Sequence, residues 1–316
     1  PAKELTDHVA ERAAHFETAQ YSVIRGIPEL RQELADHVAT RYGGVIGPEN
    51  VLISAGCNQA FCMAILAIAR AGDAVMLPVP YYFNHQMWLE MQGIDPIHPN
   101  NPTGAVYPPE VIAEFRDLAA ERGIALILDE TYRDFLEDEN GPPHDLFRDE
   151  KWGETLIQLY SFSKTFSLTG YRAGSVMAGA GTIDAVTKIM DTIQICTPRI
   201  SQYAALYGLR HVWPWVAEKR TMLKGRKEAL EAAFRGNDLG YELVSAGAYF
   251  SYVRHPFEDM SAKQVARKLA DEQNILCLPG SFFGPGQERF LRLAFANATA
   301  EDMPELAKRL RASLAA

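Results

Sequence analysis

The sequence predicts an α/β protein: a mostly parallel central sheet with helices on both faces, plus a smaller α+β C-terminal domain. Three observations carry this expectation. Short continuous apolar runs alternate with helical stretches, as in a parallel sheet covered on both sides. The apolar fraction is 47% and the charged fraction 22%, an ordinary globular balance that rules out disorder. At 316 residues the chain is too long for one comfortable small domain. The expected division is a large domain over residues 1–232 and a small one over 233–316.

The elements follow in order. The opening PAKELTDHVAERAA is polar and helical in pattern. Pro28 to Tyr42 reads as a helix: Pro28 suits a first turn, and Gly43-Gly44 stops it. Val51 to Ser54 is a short apolar strand, and Gly56 opens a helix running to about Arg70. Ala74 to Val79 is another strand. A further crossover and strand are expected before the next one, yet Gly93 to Pro99 runs straight into Asn100-Asn101-Pro102-Thr103-Gly104. Pro108 to Arg122 is an amphipathic helix ended by Gly123. Ile124 to Leu128 is a buried strand that leads into Asp129 and Glu130. Thr155 to Tyr160 and Ala173 to Ala178 are two more strands. The charge-rich stretch Val216 to Phe234 reads as a long connecting helix. Tyr249 to Val253, Ile275 to Leu278 and Phe290 to Phe295 are strand-like, and Glu301 to Leu314 closes the chain as a helix.

Charge and cysteine usage narrow the function. Lys plus Arg number 31 and Asp plus Glu 40, a formal charge of −9. That acidic balance argues against a nucleic-acid grip, while leaving room for a small anion in a local basic site. Cys57, Cys62, Cys196 and Cys277 form no Cys-x-x-Cys pair and no His-rich cluster. The expectation is therefore no metal site and no disulfide framework, with reduced thiols in the cytoplasm. The apolar run Ala60 to Ala69 is too short to cross a membrane. No secretory leader pattern opens the sequence.

The residues that carry chemistry gather at strand ends. In Tyr160-Ser161-Phe162-Ser163-Lys164 a strand ends in two serines and a lysine. A lysine at such a place can form a Schiff base. Ser161, Ser163 and Arg172 can hold a phosphate beside it; the plain alternative is a polar loop. Asp129 follows an apolar run and sits where α/β sites are built. It can pair with a protonated ring nitrogen or simply cap a turn. Tyr132 can reach the same ligand. Asn101, in Asn-Pro-Thr-Gly, has an amide free to donate from a turn. Gly56, Cys57 and Asn58 join a strand to a helix whose first N–H groups face an anion. Tyr82, or its neighbour Tyr81, can stack on a flat ring or pack in the core. Arg292, a charge among apolar neighbours, fits a substrate carboxylate or a structural ion pair.

Together these motifs resemble the class I/II aminotransferases, pyridoxal-phosphate enzymes of fold type I. The motifs are Tyr21 with Gly26 and Leu30-Arg31, Gly56 to Gln59, Pro80-Tyr81-Tyr82, Asn101 to Gly104, Asp129 to Tyr132, Ser161 to Gly174, and Arg292. They stand in the family's order and span nearly the whole chain. The resemblance implies that residues 1–232 bind pyridoxal 5′-phosphate. Lys164 would carry it as a Schiff base and later move the proton between Cα and C4′. Asp129 would pair with the pyridinium nitrogen, and Asn101 and Tyr132 with the phenolic oxygen. Tyr82 would stack on the ring. Ser161, Ser163, Arg172 and the amides at Gly56, Cys57 and Asn58 would hold the phosphate. Tyr21 would reach the phosphate of a neighbouring subunit in a homodimer with shared active sites. Arg292, with Asn101, would bind the substrate. The implied reaction moves an amino group from an L-amino acid to a 2-oxo acid by a ping-pong route.

Two departures accompany the resemblance. The family carries a few dozen more residues where this chain has only Phe83 to Asn100. It also carries an arm before the first helix. Losing a core strand would break its hydrogen-bond ladder, so the expectation is that the sequence as read omits residues there. A carbon–sulfur β-lyase of the same fold is the near alternative, and a non-catalytic regulator domain the distant one. Tyr81, Tyr82, Phe83, Phe282 and Phe283 favour an apolar or aromatic amino acid.

Overall fold

The computed structural model describes residues 1–97, 107–136, 141–235 and 238–315. The chain divides into two compact units. One holds Pro1–Arg70 with Tyr107–Glu218, the other Ala71–Val106 with Lys219–Ala316. In chain order the elements begin with α1 (Lys3–Ala13), α2 (Pro28–Tyr42), β1 (Val51–Ser54), α3 (Cys57–Ile68), β2 (Ala74–Met76), α4 (Phe83–Met91) and β3 (Asp95–Ile97). Next come α5 (Pro109–Arg122), β4 (Leu126–Asp129), β5 (Leu156–Ser161), α6 (Phe162–Thr165), β6 (Gly174–Ala178), α7 (Ala180–Ile193) and α8 (Arg199–His211). The chain closes with α9 (Trp213–Arg235), β7 (Glu242–Gly247), β8 (Phe250–Arg254), α10 (Ala262–Gln273), β9 (Leu278–Pro279), β10 (Phe290–Leu293) and α11 (Met303–Ala312).

Local chemistry explains the helix limits. In α2, Pro28 occupies the first turn with Glu29, and Arg41 lies in the last, both matching the helix dipole. Gly43 ends it at φ +74°, its amide bonded to Ala39 O at 2.9 Å. Leu30, Leu34, Val38 and Tyr42 recur every four residues and are fully buried.

The first unit is built on a four-stranded sheet in the order β1-β6-β5-β4. β4 and β5 pair in parallel, while β6 runs antiparallel to both β5 and β1. Three strands thus share one direction and β6 opposes them, which makes the sheet mostly parallel rather than wholly so. The reason is the link from β5 to β6, which holds α6 and a short turn instead of a crossover helix. Both faces are covered. Val51, Ile53, Leu156, Tyr160 and Met177 join the core of α1, α2 and α8. Leu52 is buried on the opposite face, and α3 packs on β5 and β6. Register aligns the site: Gly174 pairs with both Ser54 and Ser161, and Asp129 pairs with Leu159. The carboxyl ends of β1, β5 and β4 therefore lie along one edge. Among the described residues β4 pairs with β5 alone, and Leu126 to Leu128 are half-buried.

In the second unit β2 and β3 form a two-stranded parallel sheet with α4 between them. These are the crossover and strand expected after Ala74. β2 stops at Met76 rather than Val79, where Pro78 and Pro80 follow. A second sheet, antiparallel, has the order β7-β8-β10-β9. Val253, Leu291 and Leu293 of this sheet pack with Val265 and Leu269 of α10 and Leu310 of α11. The strand expected at Ile275–Leu278 is only Leu278–Pro279, because Asn274 ends α10 at φ +52° and the chain must first turn to meet β10. No helix among the described residues is long and apolar enough to cross a membrane.

Candidate active site

The first unit brings Gly56, Cys57, Asp129, Ser161, Ser163, Lys164 and Arg172 to its strand ends. Gly56 precedes α3 at φ +88°, a conformation that suits glycine. A Cβ there would collide with the Arg172 guanidinium, so that group lies directly against the first turn of α3. The first amides of α3, at Cys57 and Asn58, have no acceptor within the helix. Arg172 is exposed and sits at φ +55°, with Nη1 donating to Thr169 O at 2.9 Å.

Ser161 ends β5. Its Oγ accepts the amide of Ser163 at 3.2 Å and so caps the four-residue α6. The Ser163 Oγ is buried without a protein partner among the described residues. A buried hydroxyl with no protein partner suits an incoming anion or water. Lys164 is half-buried, with Nζ 6.0 Å from the centre of the Tyr132 ring.

Asp129 ends β4. Its Oδ1 accepts the Thr131 hydroxyl at 2.6 Å, the Thr131 amide at 3.1 Å and the Cys57 thiol at 3.5 Å. Burial and this carboxylate together push the Cys57 thiol well above its ordinary range. Thr131 escaped the sequence reading, although a threonine two residues past a strand-end aspartate is a recognisable local motif. Gly174 also carries more than its place in a motif. A Cβ on it would lie 2.7 Å from Gly56 C and 2.8 Å from both Cys57 N and Tyr160 O.

Tyr21 is 72% exposed, and its carbonyl accepts Arg199 at 2.7 and 3.1 Å. It borders a surface cavity of about 480 Å³ lined by Thr18, Gln20, Pro198 and Arg199.

Tyr82, its alternative Tyr81 and Arg292 belong to the second unit. Tyr82 opens α4 and is 39% exposed, its hydroxyl accepting Asn84 Nδ2 at 2.8 Å. Tyr81 is buried, with its amide on Phe283 O at 2.9 Å and its hydroxyl on Gln86. Of the two rings, Tyr82 is the one open to a ligand. Arg292 lies half-buried on β10, 4.1 Å from the Phe250 ring centre and 4.8 Å from that of Phe283. Aromatic faces on either side hold a planar guanidinium in place. Asn101 lies outside the described residues.

Comparison with known proteins identifies the family of the chain. The sequence profile of the family "Aminotransferase class I and II" matches residues 2–99 and 97–310. An aromatic aminotransferase of Arabidopsis thaliana is 29% identical over 353 aligned residues, covering 98% of this chain and 86% of that protein. An aspartate aminotransferase of Pyrococcus abyssi is 26% identical, covering 92% and 82%. The crystal structure of an aromatic aminotransferase from Pyrococcus horikoshii superposes with a TM-score of 0.90 at 24% identity, over 99% of this chain and 92% of that one. The Arabidopsis alignment is longer than this chain, and the family profile breaks at residues 97–99. That alignment therefore includes positions for which this chain has no residue.

Proposed function

This chain belongs to the class I and II aminotransferases and moves amino groups between amino acids and 2-oxo acids; from that premise we propose how its residues do so. Pyridoxal 5′-phosphate is the cofactor, held on Lys164. The observation that carries this is the set of donors at the strand ends: Arg172 against Gly56 at the first turn of α3, and the buried Ser163 hydroxyl that precedes Lys164 in sequence. Its donor set fits a phosphate dianion. When bound, the cofactor supplies an electron sink that makes the substrate Cα proton removable.

The chain's own groups do the rest. Ser161, Ser163, Arg172 and the amides at Cys57 and Asn58 hold the phosphate. Asp129, oriented by Thr131, meets the ring nitrogen. Tyr132 and Asn101 meet the phenolic oxygen, and Tyr82 covers the ring face. Lys164 Nζ takes the Cα proton and returns it. Arg292 receives the substrate carboxylate as a bidentate partner. Tyr21, exposed beside its cavity, reaches the phosphate site of a second copy in a homodimer. We place this dimer in the cytoplasm, where four unbridged cysteines are in keeping with a reducing setting.

The amino donor is an aromatic or apolar amino acid. Phe250 and Phe283 flank Arg292, and Phe83 packs near Phe283 at 6.0 Å between ring centres, giving the carboxylate site an aromatic border. The test combines a panel of amino acids with 2-oxoglutarate, reading glutamate formation and the visible absorption of the loaded enzyme. Phenylalanine and tyrosine are expected to be turned over faster than aspartate, and Lys164→Ala to lower the rate about a thousandfold or more. A Lys164→Ala protein that still transaminates at the normal rate would overturn the assignment. Pyruvate and ammonia released without a co-substrate would favour the lyase.

A further inference from the structure

Behind these donors lies a buried polar cluster that the reaction itself does not touch. Asp134 is 2% exposed, and its Oδ2 accepts the Tyr160 hydroxyl at 2.7 Å and the Thr165 hydroxyl at 2.8 Å. Those two hydroxyls are 2.9 Å apart, so the three groups close a triangle. Arg133, also 2% exposed, lies 3.9 Å from Asp134 and places its guanidinium 3.8 Å from the Tyr160 ring centre. His37 of α2 faces the same pair.

The triangle's members have telling neighbours. Thr165 follows Lys164, Tyr160 precedes Ser161, and Asp134 lies two residues past Tyr132. A helix of four residues such as α6 cannot hold its own orientation. The segment after it contains Ser167 at φ +54° and Arg172 at φ +55°, strained positions that surrounding contacts must impose. Stability alone gives no reason for these charges. A buried ion pair is often no better than apolar residues of the same volume, and its best-attested use is to specify geometry.

We propose that Asp134 is a positioning residue: by holding Tyr160 and Thr165 together it sets the separation and orientation of Lys164 and Tyr132. The burial of the carboxylate is offset by Arg133 and the two hydroxyls, which keep it ionised and able to accept both. The proposal rests on the reading that Lys164 carries pyridoxal phosphate.

Asp134→Asn would strand the buried Arg133 and can unfold the protein, so the hydroxyl partners carry the test. Thr165→Val and Tyr160→Phe each remove one hydroxyl, with its hydrogen bond to Asp134 and its contact with the other hydroxyl, and keep every charge. Each full-length variant is loaded with pyridoxal phosphate, and three quantities are read. They are cofactor affinity by equilibrium dialysis, the pH midpoint of the visible Lys164-cofactor band, and the thermal midpoint. Both variants should bind the cofactor about three- to tenfold more weakly. With Tyr132 less well placed on the ring oxygen, the pH midpoint should rise by about half a unit. Thr165→Ser should restore both values. Tyr241→Phe, which removes a buried 2.8 Å hydroxyl contact to Ser313 in the second unit, should lower the thermal midpoint and leave the other two unchanged. The proposal fails if Thr165→Val and Tyr160→Phe move only the thermal midpoint. A wild-type protein that shows no visible band with pyridoxal phosphate overturns the underlying reading, and this proposal with it.

Discussion

Gly174 contributes no side chain, yet it sets how closely β6 approaches the first turn of α3. Any Cβ there would meet backbone of Gly56, Cys57 and Tyr160, none of which is the movable end of a side chain. Gly174→Ala should therefore cost about 1–3 kcal/mol of stability in a urea titration. It should also weaken phosphate binding by pushing the α3 amides outward; unchanged values for both would refute the reading. This residue illustrates what a sequence withholds. Lys164, Asp129, Ser161 and Arg172 stood out as candidates because their chemistry and spacing are distinctive. The weight on Gly174 comes from two strand registers that meet at one residue. Thr131, Arg133 and Asp134 were passed over for a related reason: their partners are distant in the chain or merely local.

At the scale of elements, sequence signals served best where a terminus has its own chemistry. Pro28 and Gly43 bound α2, and Gly123 ends α5 at φ +63°. In α10 the Ser261 hydroxyl accepts the Gln264 amide at 3.3 Å, while the Gln264 side chain accepts the Ser261 amide at 2.8 Å. This is a reciprocal cap. Ser261→Ala should lower stability by about 1 kcal/mol, measured by thermal unfolding, with no change in cofactor affinity. Strands were less legible. β9 is two residues long because its length depends on β10, to which it pairs, and not on its own apolar run. The direction of β6 was likewise unreadable from composition, since a parallel and an antiparallel buried strand present the same apolar pattern.

At the scale of the whole molecule, buried ionisable groups make stability depend on pH. His37 stacks on Trp213 at 4.6 Å, and burial with the nearby Arg133 lowers its pKa to about 4. The folded protein thus holds this ring neutral where an unfolded chain, titrating near 6.5, would protonate it. Its contribution is fully present above about pH 6.5 and is lost as the pH falls through 4. The loss approaches about 3 kcal/mol at pH 4. Asp134 and Glu130, both held below their ordinary range despite burial, lose their contribution only at lower pH, below the ordinary carboxylate range. Stability measured by urea titration should fall between pH 6.5 and 4. His37→Phe, which keeps the aromatic stack, should flatten that slope; an equally steep slope would exclude His37 as its source.

The chain length bears on the same scale. The family profile matches in two ranges that meet at residues 97–99, and β4 is the last strand of its sheet among the described residues. The mass of the intact protein decides whether the natural chain carries more. About 35 kDa, the mass of these 316 residues, would show that it does not.

The sequence by itself determined the family and the alternation of helix and strand, and singled out Lys164, Asp129 and Arg172 as candidate groups. Those follow from side-chain chemistry and local spacing, which a linear chain displays in full. The tertiary structure alone decided that β6 runs against its neighbours and that Gly174 admits no side chain. It alone joined Asp134 to Tyr160 and Thr165, 26 and 31 residues away. Such features depend on which strands pair and in what register, and pairing energy is shared among residues that the sequence keeps apart.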